Sequence, residues 1–452
     1  MGVIMMNKIY KFQLIGNKKR SYRQSKFIFS TFNLTGNSRV EMEPAMVDKA
    51  VQKMKKLGLN LIETAHSAMN TAMYALEACE REGMDVIWQN YYLFGGFHDM
   101  FRRPTTEEEV RDIVDKTRHY KHLKGYYIWD EPWEEADIRA CAEQTDWFDK
   151  YAPGKHAFSV MNPHFDSRYH NWKNGRYPWY VGHFLDTVQP PVASFDYYPF
   201  GTENITEHDG DQLDRSQLWK DIGVVRQAAL ERNLPLWYYF GTLRTDPFPT
   251  YHFSMTRLQV NYALMYGAKG LQSYGLAGSL VSPDKLDEKR RVLENDYEEG
   301  CFFDDMRSLI GNTLNLGKTF IALHSEHVYH GKEVLPDDDY FNEHFREEIR
   351  NDDLTDLEEL PFRCSIGRLS DDWGNQYMAI LNRDYLRTQV FTIPLNGTKR
   401  IFEVSKADGK HYCVNNSTDC LHITLEPGDM AFYRVQDTAD EAFDVEYIPV
   451  ES

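Results

Sequence analysis

The chain lacks the marks of a polyanion binder, a membrane-spanning protein or a disulfide-stapled domain. Its 51 Lys and Arg are outnumbered by 69 Asp and Glu. The resulting formal net charge of −18 argues against nucleic acid and anionic membrane as main partners. No apolar run is long enough to span a bilayer. The six cysteines (Cys79, Cys141, Cys301, Cys364, Cys413 and Cys420) form no CxxC or other metal-ligand spacing. They are expected as free thiols, although Cys413 and Cys420 are near enough in sequence to pair across a loop. No phosphate loop, nucleotide-binding glycine pattern or metal signature is present. No organic cofactor and no metal are therefore implied. Residues 1–10 lack the apolar core and small-residue cleavage site of a signal peptide. The sequence as written reads as cytoplasmic, or as periplasmic or secreted if a leader has been removed. It does not set the oligomeric state.

What the chain does have is length and alternation. Its 452 residues suggest a large barrel plus a smaller domain. Over 26–277, short β-like runs alternate with polar helical stretches, the pattern of parallel strands joined by crossover helices. The runs at 27–32, 59–64, 85–89, 125–129, 155–160, 192–197, 236–240 and 268–274 make eight strands, the number of a (β/α)8 TIM barrel. Helices are expected at 44–56, 70–82, 217–232 and 254–266, with others opening near 105 and 134. The stretch 282–323 reads as helical cover for the barrel, and 335–360 as an acidic linker or solvated loop. Beyond 361, β-like runs punctuated by Asn396-Gly397, Asp408-Gly409 and Pro427-Gly428 predict a C-terminal antiparallel β-sandwich. The expected division is thus 1–325 barrel with an N-terminal extension, 326–360 linker, and 361–452 sandwich.

Trp129-Asp130-Glu131-Pro132 carries the chemistry. Two adjacent carboxylates closing an apolar strand are costly unless they are used or paired, and a barrel gathers its catalytic groups at the C-terminal ends of its strands. Glycoside cleavage needs a protonated acid and a second carboxylate. Glu131 is the candidate acid, with Asp130 expected to raise its pKa by like-charge repulsion. The plain reading beside this is a pair that caps the next helix and meets basic residues. Other strand ends offer Asp196 as second carboxylate, with Glu63 ranked behind it. His66, Asn90, Tyr91, Trp129, Asn162, Tyr198, Trp237 and Tyr274 are candidate carbohydrate contacts, the aromatics as stacking walls for sugar rings.

The segment 128–132 resembles the Asn-Glu-Pro strand-four signature of the large clan of retaining (β/α)8 glycoside hydrolases, in an Asp-Glu-Pro variant. Residues 194–200 resemble the strand-six segment of such barrels, and 266–274 their last helix and strand eight. The run 425–429 is similar to the end of the β-sandwich in β-galactosidase-like enzymes. The resemblance implies hydrolysis of an oligo- or polysaccharide with Glu131 as proton donor. It also implies a nucleophilic glutamate at the end of strand seven, where this chain has none: the run is Trp237-Tyr238-Tyr239-Phe240-Gly241-Thr242. Three readings therefore stay open. Asp196 or Glu63 serves as base or nucleophile; or the substrate's own 2-acetamido group attacks while Asp130 orients it; or the barrel only binds glycan.

Overall fold

A computed structural model describes residues 6–32, 34, 41–64, 68–89, 105–164, 176–200, 218–242, 252–276, 292–294, 296–334 and 339–450, with the backbone alone for 339–341. In chain order the strands are β1 (Met6–Gln13), β2 (Ile28–Thr31), β3 (Ile62–Glu63), β4 (Val86–Trp88), β5 (Leu123–Asp130), β6 (His156–Val160), β7 (Ala193–Asp196), β8 (Leu236–Gly241), β9 (Gly270–Tyr274), β10 (His324–His330), β11 (Cys364–Ser370), β12 (Gln376–Asn382), β13 (Gln389–Val404), β14 (His411–Leu425), β15 (Met430–Asp437) and β16 (Phe443–Val450). The helices are α1 (Pro44–Leu57), α2 (Met69–Glu82), α3 (Glu107–Thr117), α4 (Glu135–Tyr151), α5 (Arg176–Val188), α6 (Leu218–Glu231), α7 (Phe253–Met265), α8 (Phe303–Phe320) and α9 (Asp339–Phe345). Among the described residues, no helix is long and apolar enough to cross a membrane.

β2 to β9 form two four-stranded parallel sheets, ordered β3-β4-β5-β6 and β2-β9-β8-β7. Each βα unit follows from local chemistry. Thr106 and Glu109 make a reciprocal capping box at the start of α3. Gly58 and Gly83 end α1 and α2 in the left-handed conformation that a residue without Cβ adopts freely. Apolar residues of α1 to α8 pack on the outer faces of the strands as one large core. The inner faces of both sheets share a second cluster, built from Ile28, Leu61, Ile87, Tyr127, Phe158, Val160, Val192, Trp237 and Tyr239.

That inner space is filled in layers along the strands. At the N-terminal end, Trp237 and His156 meet at 5.3 Å between ring centroids. They fit because the neighbouring strands carry glycine there. A Cβ on Gly270 would lie 2.4 Å from the Trp237 ring, and one on Gly125 would lie 2.4 Å from the His156 carbonyl oxygen. Residues of the N-terminal segment close this end. Gln24 accepts the Trp237 indole N–H at 3.0 Å, and Tyr22 packs on His156 with ring centroids 4.5 Å apart. The candidate chemistry lies at the other end.

The C-terminal part is the expected antiparallel β domain, built on a single continuous sheet. A six-stranded antiparallel sheet runs β10-β11-β12-β15-β13-β14. The 391–395 and 421–425 portions of the long β13–β14 hairpin share a core with β11 and β12. The bend falls at Asn396-Gly397, expected as a turn. Gly397 takes φ +75° and the β13–β14 register shifts between Pro394 and Lys399, so the strand continues through a bulge. The expected linker at 326–360 is also built into this unit. β10 is an edge strand, Ile349 and Leu354 enter its core, and buried Asp352 pairs with buried Arg368. The N-terminal extension does not belong to the parallel sheets: β1 runs parallel to β16, pairing Met6 with Phe443 through Gln13 with Val450. All six cysteines are free. Cys413 and Cys420 lie in one extended strand, which holds them apart.

Candidate functional site

Asp130 and Glu131 sit at the C-terminal end of β5 because that strand carries a bulge. Against β6, Tyr127 pairs with Phe158 and Asp130 with Val160, but Trp129 pairs with Ser159, so one residue is extra. Regular alternation from inward-facing Tyr127 would point Trp129 inward and Asp130 outward. The bulge reverses this. Trp129 joins the helix-side core, and Asp130 turns inward to accept a hydrogen bond from the Tyr127 hydroxyl at 2.7 Å. The expected role of Trp129 as a sugar wall is corrected accordingly. Trp237 is corrected too. It is the second residue of β8, so its side chain lies in the far layer, bonded to Gln24.

Glu131 adopts φ +47°, in the left-handed region. A non-glycine residue there costs about 1–3 kcal/mol and persists only where its surroundings impose it. Here the clamp is explicit. The Glu131 N–H donates to the Val160 carbonyl at 3.1 Å. Asn162 Nδ2 donates to the Glu131 carbonyl at 3.0 Å, and the Tyr180 hydroxyl donates to the Pro132 carbonyl at 2.9 Å. Asn162, expected as a sugar contact, is thus a buried positioning residue. Its neighbour His164 is held by Asp221, with Nδ1 2.6 Å from Oδ1 and its backbone N–H 2.9 Å from Oδ2.

The Glu131 side chain reaches toward Asp196 at the end of β7, close enough for each carboxyl to influence the ionisation of the other. Two carboxyls so placed favour holding one proton between them. Burial, then the Asp130 charge, push the Asp196 carboxyl up to about 7, against the hydrogen bonds from Glu131 and the Tyr198 hydroxyl. Tyr198 and Tyr274 stand over this group with ring centroids 5.0 Å apart. Burial and the surrounding carboxylates hold both phenols well above the ordinary tyrosine range. The Asp130, Glu131, Asp196, Tyr198 and Tyr274 positions chosen from sequence therefore meet in one place. His66, Asn90 and Tyr91 lie outside the described residues.

The end of β8 carries no carboxylate. Gly241 is clamped to Gln259 through its N–H and carbonyl, both at 3.0 Å. A Cβ on Gly241 would lie 3.4 Å from the Tyr198 ring. The Tyr198 ring from the β7 end thus lines the space beside this strand end, at ordinary contact distance.

One layer below, Glu63 is wholly buried and tied to three strands. Ser30 Oγ and Gln272 Nε2 donate to Oε1 at 2.7 and 2.8 Å, and the Tyr239 hydroxyl donates to Oε2. Burial raises its pKa to about 7, only partly offset by these bonds. Tyr127 and Tyr239, which tie Asp130 and Glu63 in place, were not identified as site residues from sequence. Their spacing of two from inward Gly125 and Trp237 is the signal that marks them.

The shift at Glu63 has a thermodynamic consequence. Its folded pKa lies above its unfolded one, so its contribution is fully present below about pH 4.5 and lost as pH rises through about 7. Glu63→Gln is expected to abolish that dependence. Relative to the variant, the parent should lose on the order of 3 kcal/mol between pH 4 and pH 8 in denaturant unfolding. Parallel pH profiles for the two proteins would contradict a Glu63 buried with a raised pKa.

Among the described residues, no three His, Cys, Asp or Glu side chains converge as a metal site. No protein-family model and no curated protein sequence matches the chain. Among solved structures it is similar to a β-glucuronidase from Ruminococcus gnavus, at 11% identity and TM-score 0.45, over 64% of this chain and 50% of that one. It is also similar to a GH2 β-galacturonidase from Eisenbergiella tayi, at 13% identity and TM-score 0.46, over 66% of this chain and 54% of that one. The chain spans about half the length of these two proteins. A third likeness covers 92% of this chain and 79% of a Bacteroides fragilis protein provisionally assigned as an alpha-galactosidase, at 9% identity and TM-score 0.50. At that identity the likeness is one of fold: parallel strand–helix units followed by an antiparallel β domain are an arrangement this chain shares with a known structure.

Proposed function

We propose that the protein is a glycoside hydrolase acting on an oligo- or polysaccharide, with Glu131 as proton donor and Asp196 as nucleophile. The two parallel sheets are read as one (β/α)8 barrel. Hydrogen bonds at both seams support this, from Met161 N–H to Ser194 O at 2.9 Å and from Asn60 N–H to Phe29 O at 3.2 Å. The observation that carries the functional reading is the placement of Glu131 and Asp196 side by side at the ends of β5 and β7, close enough for their ionisation to be linked. One shared proton leaves one carboxyl protonated and one charged, the state that acid-assisted glycoside cleavage starts from. Two carboxyls this close lie nearer the roughly 5–5.5 Å separation of a double displacement than the roughly 6.5–9.5 Å that an inverting water needs.

In this mechanism Glu131 protonates the glycosidic oxygen while an Asp196 oxygen bonds to the anomeric carbon. Glu131, now ionised, then takes a proton from water, which displaces Asp196 and restores both groups. Asp130, anchored by Tyr127, stands beside the place where the oxocarbenium ion would develop. Tyr198 and Tyr274 supply an aromatic wall. The test is release of reducing sugar from a glycoside panel, with the first-formed anomer followed by NMR. Retention is expected. Inversion would remove Asp196 as nucleophile, and no release from any glycoside would remove the hydrolase reading.

A further inference from the structure

Trp179 lies in the first turn of α5 and is 63% exposed. Its neighbour Tyr180 is buried and donates to the carbonyl of Pro132, the residue after the proposed acid. The exposed indole is therefore carried on the same helix end that fixes Glu131. It is also held still. The His183 ring lies against one face, with centroids 4.9 Å apart and planes 7° from parallel. His183 Nε2 is 2.7 Å from Glu135 Oε2, and Glu135 Oε1 accepts from Arg139 Nε at 2.7 Å. Glu135 stands four residues beyond Glu131, so one short segment presents both the acid and the carboxylate that pins the platform.

We propose that Trp179 is a sugar-stacking platform beside the catalytic mouth, binding a ring of the same glycan chain that Glu131 cleaves. The proposal rests on the hydrolase reading and narrows its substrate to chains long enough to reach from the mouth to α5. The chemistry fits a pyranose. Its C–H face packs on an aromatic face, while its hydroxyl rim meets the carboxylate and guanidinium of Glu135 and Arg139. The indole is already held by His183, so little side-chain freedom is lost on binding.

The test uses the Glu131→Gln protein, with and without Trp179→Ala. Each is run in native gels containing, in turn, soluble β-glucan, arabinoxylan, galactan, pectin or starch. Glu131→Gln is expected to be retarded in at least one gel, and the added Trp179→Ala to remove most of that retardation. In the otherwise unaltered enzyme, Trp179→Ala should lower the ratio of kcat/KM on that polymer to kcat/KM on a nitrophenyl glycoside by about 5–10-fold. Trp179→Phe should recover part of it. Equal retardation with and without Trp179 would overturn the platform, as would no retardation in any gel. So would dissociation of a dimer by Trp179→Ala in sedimentation, which would make a second copy the occupant. Failure of the hydrolase reading shows separately, as no sugar released from any glycoside by the unaltered protein, and failure of the acid assignment as unchanged turnover in the Glu131→Gln protein.

Discussion

Replacing Glu131 by Gln is expected to lower kcat/KM on an unactivated glycoside by about 10²–10⁴-fold, the usual worth of a positioned general acid. The substitution keeps the shape of the side chain and its backbone clamp to Val160, Asn162 and Tyr180, so the loss measures the proton. The substrate dependence is the sharper readout. A nitrophenolate leaves without protonation, so with a nitrophenyl glycoside the first step should be nearly spared and the second, which needs Glu131 as base, should become limiting. Azide attacks without a base, so adding it should restore turnover and yield a glycosyl azide of retained configuration. Equal losses on activated and unactivated substrates, with no effect of azide, would show that Glu131 does not handle the proton.

The location of this carboxyl was legible because an apolar run of strand length ends in two acids and a proline, which neither a core nor a solvated loop requires. Its setting was less so. Nothing in Tyr127-Ile128-Trp129 announces a bulge, yet that single extra residue decides that Asp130 faces inward and Trp129 does not. Asn162 was recognisable as a polar group at a strand end, but its partner is a main-chain carbonyl, which carries no sequence signature. Tyr180 was harder still. Its helix contains Pro178 and Gly182, and half of its buried residues are aromatic, so composition masks the helical spacing. The depth of Trp237 follows only from where β8 begins, the least certain feature of any strand read from sequence.

The parallel sheets were readable element by element, because each βα unit is local and carries its own caps and periodicity. The C-terminal unit was readable as antiparallel β, but not in its pairing. Gly397 serves equally well in a tight turn or a bulge, and only pairing with β14 distinguishes them. Residues 335–360 are acidic enough to suggest solvent, but the buried Asp352–Arg368 pair depends on an arginine in β11. The β1–β16 pairing joins the two ends of the described chain, beyond the reach of any local pattern.

Asp196→Asn is the second large effect, expected at about 10³-fold or more because a nucleophile has no substitute within its own site. Loss of activity alone would not separate a nucleophile from a carboxylate that merely keeps Glu131 protonated. The pH profile separates them. As nucleophile, Asp196 must be ionised, and burial together with the Asp130 charge raises it to about 7. The acid limb of kcat/KM should therefore fall near pH 7 rather than in the ordinary carboxylate range, an apparent value that belongs to the Glu131–Asp196 pair. Asp130→Asn removes the repulsion, so Asp196 should ionise more readily and the limb should move to lower pH. If Asp196 only supported the acid, its ionised form would not be required for attack, and Asp130→Asn would leave that limb where it stands. The sign of that displacement thus decides whether the charge on the β5 end acts through the β7 carboxylate, as two carboxyls placed side by side across the open ends of the strands require.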